Sequence, residues 1–131
     1  MIKEQLYIFD TTLRDGAQTQ GVDFSIDDKE KISSALDLLG VDYVEGGWPG
    51  ANPTDTEFFN KDHNFKSTKL TAFGMTKKSE HSAENDPMLS SLINSKSSSV
   101  CLFGKSWDFQ VKVALGITKD ENLTNISEST K

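Results

Sequence analysis

The sequence has 131 residues, 35% hydrophobic and 26% charged, with 14 Lys and Arg against 20 Asp and Glu for a net charge of −6. That is the size and composition of one globular domain with a modest core, and an acidic chain without a basic stripe excludes nucleic acid as the main partner. The single cysteine, Cys101, excludes an internal disulfide, and no segment approaches the roughly 18 apolar residues of a membrane span. The N-terminus lacks a signal-peptide core, so a soluble, cytoplasmic protein without a membrane partner is the default expectation.

The pattern predicts a first strand over Leu6 to Phe9, followed by a loop with Gly16 and Gly21. Ser25-Ile26-Asp27-Asp28 reads as a helix start, because the Ser hydroxyl can accept an early backbone N–H and acids suit the first turn. Ile32, Ala35, Leu36 and Leu39 fall on one face at helical spacing, and Gly40 suits a left-handed helix end. A second strand is predicted from Val41 to Glu45. The Gly- and Pro-rich run Gly46 to Pro53 follows, then a capping pattern at Thr54-Asp55-Thr56-Glu57 with Phe58 and Phe59 beginning a helix. Lys69 to Phe73 reads as a third strand ended by Gly74. Asp86-Pro87 suggests N-cap and N1 of a third helix, with Met88, Leu89, Leu92 and Ile93 inward. Ser99 to Phe103 is the fourth strand, and Phe109 to Leu115 is predicted helical. Thr118-Lys119-Asp120-Glu121 caps a last helix with Leu123 and Ile126 inward, and this helix shows no stop signal before Lys131.

The fold class is therefore α/β, with a βα unit four times over. Strands alternating with helices imply parallel strands and right-handed crossovers. A small open doubly wound sheet and the first four units of a (β/α)8 barrel both satisfy the order. A full barrel takes about 250 residues, so the second reading makes residues 1–131 an apparently truncated half of one catalytic domain, with no second domain.

Arg14 and Asp15 follow the first strand in Asp10-Thr11-Thr12-Leu13-Arg14-Asp15-Gly16. A fixed cation beside a carboxylate at a strand's carboxyl end offers an oxyanion stabiliser and an oxygen ligand for a metal. The pair reads equally well as a structural ion pair. Glu45 alone would be a solvated acid, and Gly46-Gly47 a tight turn or a substrate-facing backbone. Cys101, in an apolar run, reads as a buried inert thiol. His63 and His81 read as surface residues, and Trp48 and Trp107 as packing residues.

Asp10-Thr11-Thr12-Leu13-Arg14-Asp15-Gly16 with Gln18, then Val44-Glu45-Gly46-Gly47, resemble the N-terminal part of the metal-dependent enzymes that condense an acyl-CoA with a 2-keto acid. That group comprises the 2-isopropylmalate, homocitrate and citramalate synthases, with the acyl-CoA lyase barrels beyond them. Gly46 to Asp55, Ala72-Phe73-Gly74, Phe103 to Asp108 and Glu121-Asn122-Leu123 look like the citramalate synthase subgroup in particular. The resemblance implies a (β/α)8 barrel that joins acetyl-CoA to pyruvate in branched-chain amino-acid biosynthesis. It implies Arg14 facing the reacting carbonyl, Glu45 pairing with or orienting Arg14, and Gln18 near the substrate. It also implies Asp15 as one ligand of a divalent metal (Mg2+, Mn2+ or Zn2+) that polarises the keto-acid carbonyl.

Two features depart from the subgroup. Gln110 stands where His is usual, which removes a proton-transfer group from the fourth loop. His63 and His81 do not form the family's His-x-His metal pair. On these grounds the 131 residues alone are expected to be inactive, a non-catalytic half-barrel that self-associates through open sheet edges. A 2-isopropylmalate synthase or an acyl-CoA lyase of the same superfamily remains the alternative activity.

Overall fold

The computed structural model describes residues 4–131. Four strands form one parallel sheet in sequential order: β1 (Phe9–Asp10), β2 (Tyr43–Gly47), β3 (Lys69–Met75) and β4 (Ser99–Phe103). Between them run α1 (Ile26–Leu39), α2 (Pro53–Asn60) and α3 (Pro87–Ile93). After β4 come α4 (Asp108–Gln110), continuing into a π-helical turn at Val111–Leu115, and α5 (Lys119–Ser129). No helix among the described residues is long and apolar enough to cross a membrane.

Strand alternation sorts the sheet into two faces. Val44, Leu70 and Ala72 turn toward the helices and pack with Phe58, Phe59, Leu89 and Leu92 in the core. Tyr43, Glu45, Thr71, Phe73, Ser99 and Cys101 alternate with them and line the opposite face. The register sets Glu45 beside Thr71, and Phe73 beside Cys101. This second face carries the candidate site.

The helix starts follow their cap chemistry. Ser25 and Asp28 form a reciprocal capping box on α1, Gly40 ends it at φ 88°, and Thr118 with Glu121 repeats the box on α5. Asp86 caps α3 ahead of Pro87. On α2 the cap is Asn52, not Thr54. The Asn52 side chain accepts the Asp55 N–H and Pro53 takes N1, so Phe58 and Phe59 lie in the last turn, not the first.

Several expectations shift. The first strand is Phe9–Asp10 rather than Leu6 to Phe9; Leu6, Tyr7 and Ile8 are exposed, with the Tyr7 ring edge-on to Tyr43 at 6.3 Å. β2 is Tyr43–Gly47, shifted two residues along from the expected Val41 to Glu45, and β3 runs two residues past Phe73, so Gly74 lies inside a strand. Leu39 at 78%, Ile93 at 79% and Leu123 at 63% are exposed rather than inward. The most buried positions of α1 are Lys29, Ser33 and Asp37, beside which Ile32 and Leu36 pack against the core as expected while Ala35 is exposed; those of α5 are Asn122 and Asn125, with Ile126 half-buried beside them. His63 is half-buried, not superficial: its ring lies 4.5 Å from Phe58 and 5.4 Å from Phe65, with Nε2 2.8 Å from the Phe58 carbonyl.

Candidate active site

Arg14 leaves the chain just past β1, where a tight turn folds the N–H groups of Arg14, Asp15 and Gly16 back onto the Thr11 carbonyl. Its guanidinium reaches across to β2. Arg14 Nε donates to Glu45 Oε2 at 2.7 Å, and an Arg14 terminal nitrogen meets Asp15 Oδ1 at 3.1 Å. The guanidinium carbon also lies 4.2 Å from the centre of the Phe73 ring. Glu45 is 1% exposed, so its carboxylate depends on the Arg14 charge for balance. With Glu45 on one edge and Phe73 on one face, the guanidinium has few orientations left, which is the preorganisation an oxyanion stabiliser requires.

Asp15 stands on the outer side of the same group, with its side chain 61% exposed. It offers an open oxygen donor at the strand rim, and its chemistry fits one ligand position of a hard divalent cation. Among the described residues, no three His, Cys, Asp or Glu side chains gather to complete such a site. Gln18 lies one short 3-10 turn further on, exposed, and its side chain makes no hydrogen bond to Arg14, Asp15 or Glu45 among the described residues. The structure therefore brings the side chains of Arg14, Asp15 and Glu45 into contact, and Gln18 adjoins them through its backbone N–H, which donates to the Asp15 carbonyl at 3.0 Å.

Cys101 is half-buried on the same face. Burial, then the charge of Glu45 and a hydrogen bond to it, push its thiol pKa up, so it stays protonated and is not a nucleophile. Gly46 and Gly47 serve packing. A Cβ on Gly46 would meet Phe58 at 2.8 Å, and one on Gly47, at φ 141°, would meet the Asp55 carboxylate at 2.5 Å. Lys105 holds its ammonium 5.1 Å from the Phe103 ring centre. Gln110 is half-buried. Trp107 is 59% exposed and pairs with Phe109 at 5.0 Å.

Sequence reasoning missed the group beneath the pair. Lys29 is 3% exposed, and its ammonium donates to the Leu13 carbonyl at 2.9 Å and the Gly46 carbonyl at 2.8 Å, with Asp55 Oδ1 at 2.6 Å. These three contacts use all its protons. Asp55 Oδ2 in turn accepts the Trp48 N–H at 2.8 Å and the Asn52 side-chain amide at 2.9 Å. Leu13 precedes Arg14 and Gly46 follows Glu45, so one buried ammonium ties together the backbone on which both site residues hang. The available signal was the polar i, i+4, i+8 stripe of Lys29, Ser33 and Asp37 beside Ile32 and Leu36.

The chain is similar to several known proteins. Residues 5–131 match the HMGL-like family. The (R)-citramalate synthase of Aquifex aeolicus (strain VF5) is 51% identical over 128 residues, which is 96% of this chain and 24% of that protein. The (R)-citramalate synthase of Sulfolobus acidocaldarius is 47% identical over 131 residues, 98% of this chain and 25% of that protein. A 2-isopropylmalate synthase of Caldanaerobacter subterraneus subsp. tengcongensis is 35% identical, covering 98% of this chain and 32% of that protein. The chain thus spans about a quarter of the citramalate synthases it matches. In structure it resembles hydroxymethylglutaryl-CoA lyase from Pseudomonas aeruginosa, with a TM-score of 0.69 and 16% identity, over 93% of this chain and 40% of that one, so the fold is a partial barrel of that kind. With a match that runs from residue 5 to residue 131, the chain belongs to the HMGL-like family.

Proposed function

We propose that these residues form part of a citramalate-synthase-type active site, in which the acetyl group of acetyl-CoA is joined to pyruvate. The observation that carries this reading is the part-buried Arg14–Glu45 pair at 2.7 Å with Asp15 on its open side, set at the carboxyl end of parallel strands. In the reaction, a proton leaves the methyl group of the thioester, the resulting carbanion attacks the keto carbon as the carbonyl π pair moves to the keto oxygen, and hydrolysis of the thioester afterwards releases the thiol. Arg14 presents permanently protonated N–H groups to that oxygen. Glu45 orients Arg14 and neutralises it between turnovers. Asp15 would hold a divalent cation, which supplies Lewis-acid polarisation of the carbonyl when bound. Gln18, further out, would meet the keto acid only at the mouth of the site. The setting is a cytoplasmic enzyme of branched-chain amino-acid biosynthesis.

The 131 residues alone contribute one carboxylate to the cation, and the site-bearing sheet face is open. The isolated chain is therefore expected to give no turnover. The reading is tested in a chimera that replaces the matching quarter of the Aquifex aeolicus synthase with residues 1–131. Thiol release from acetyl-CoA should proceed with pyruvate, and faster than with 2-ketoisovalerate or 2-ketoglutarate. Arg14→Lys in the chimera should lower kcat about 10²–10³-fold, the scale of losing a preorganised oxyanion donor. A dead chimera beside an active parent, or preference for another keto acid, would refute the assignment. So would turnover unaffected by Arg14→Lys.

A further inference from the structure

We propose that Lys29 is a positioning residue for the reaction: its buried ammonium fixes how β2 meets the turn after β1, and so sets Arg14 against Glu45. This rests on the function proposed above and adds a residue that acts through Arg14. The bond it governs is that between Arg14 Nε and Glu45 Oε2 at 2.7 Å.

The backbone on either side of that bond needs such a device. β1 pairs with β2 at Phe9–Tyr43 and Asp10–Val44, so the ladder ends before Arg14 is reached. Beyond it the turn is bonded to itself, with the N–H groups of Arg14, Asp15 and Gly16 all directed to the Thr11 carbonyl. β2 is irregular at the matching point. Glu45 pairs with Thr71 and Gly47 with Ala72, so Gly46 is an extra residue with no counterpart on β3. A bulge of this kind bends its strand and re-aims the side chain beside it. Arg14 therefore hangs on a turn, and Glu45 beside a bulge, that the ladder does not join.

Lys29 joins them. Its ammonium donates to the carbonyl of Leu13, the residue before Arg14, and to that of Gly46, the bulged residue, at 2.9 and 2.8 Å. Among the described residues, this bridge is the only hydrogen-bonded link between residues 12–16 and β2 apart from the Arg14–Glu45 bond itself. The third partner, Asp55 Oδ1 at 2.6 Å, anchors the ammonium to α2. Two carbonyls and a carboxylate call for three donors on one cation, which an ammonium supplies and a neutral side chain does not. A misplacement of about 1 Å in a catalytic group can cost about 10²-fold in rate, so the fit between turn and bulge bears on the chemistry.

The test separates positioning from stability in the chimera. Lys29→Met should lower kcat about 10- to 100-fold and leave KM for pyruvate nearly unchanged, the pattern of an interaction made in the transition state. In Lys29→Met with Asp55→Asn the stranded charge is gone, so part of the stability should return. Both carbonyls stay unheld, so kcat should stay low. Leu89→Ala opens a core cavity away from the bridge, and should lower the unfolding midpoint and keep kcat. On an Arg14→Lys background, adding Lys29→Met should lower kcat little further, because the group through which Lys29 acts is already lost. Exchange of the Arg14 Nε–H with water is followed by NMR in the 131-residue chain, the signal being assigned by its loss in Arg14→Lys. It should be about tenfold faster in the double variant, the worth of one hydrogen bond, and unchanged in Leu89→Ala. A kcat that returns with stability in the double variant, a fully multiplied loss on the Arg14→Lys background, or an unchanged exchange rate would overturn the proposal. A dead chimera beside an active parent would refute the proposed function alone, and the exchange measurement would then decide the role of Lys29.

Discussion

Lys29 carries more of the architecture than any apolar residue on its helix. Its ammonium sits in the interior with three oxygen partners, one of them the Asp55 carboxylate at 2.6 Å. Removing one partner of a buried pair strands the other charge, which costs about 3–5 kcal/mol. Lys29→Met should therefore lower the urea unfolding midpoint by that amount of stability. The double variant Lys29→Met with Asp55→Asn should lose clearly less than the sum of the two singles, because neither charge is then left unpaired. Additive losses would show that the two groups do not act as a unit. The same comparison in the chimera would report on Arg14, since the Leu13 and Gly46 carbonyls that Lys29 holds flank Arg14 and Glu45.

At the scale of elements, α1 is joined to the loop before β3 by one carboxylate. Asp37 Oδ1 accepts the Ser67 and Thr68 N–H groups at 3.0 and 2.9 Å, and Oδ2 accepts the Lys66 N–H at 2.9 Å. These backbone bonds hold its pKa far below the usual carboxylate range. A depressed folded pKa contributes stability that is complete above the unfolded value of about 3.9 and is lost as pH falls through the folded value. Unfolding midpoints measured from pH 7 downward should therefore drop below about pH 4. Asp37→Asn should be less stable at neutral pH and show a shallower acid limb. Some limb persists, because Asp28 and Glu121 are also held low by their cap hydrogen bonds. An unchanged limb in Asp37→Asn would show that the loop does not depend on this carboxylate.

Across the whole molecule, the sheet has one face packed on helices and one that is covered only in its middle, at Glu45 and Thr71. Phe9 at 43%, Phe103 at 43%, Trp107 at 59% and Phe109 at 56% remain exposed. Among the described residues, β1 and β4 form the sheet edges, each with an unpaired rail of backbone donors and acceptors. Sedimentation of the 131-residue chain should show mass rising with concentration as edges and exposed rings associate. A monodisperse monomer across the concentration range would contradict this.

The sequence alone determined what local chemistry decides. Ser25, Thr118 and Asp86 announced their helix starts because a cap acts within three residues. The run Ser99 to Phe103 announced β4 with its observed bounds. Arg14 and Asp15 stood out as candidates by their place after the first strand, and Glu45 only through the family resemblance. The short β1, the outward turn of Leu39, Ile93 and Leu123, and the burial of His63 depended on which neighbours were there to pack, and hydrophobicity alone does not name neighbours. Only the tertiary structure revealed that Lys29 and Asp55 meet inside and that Phe73 backs the Arg14 guanidinium. The partners in each group come from separate βα units, and only the folded sheet sets the distance between them.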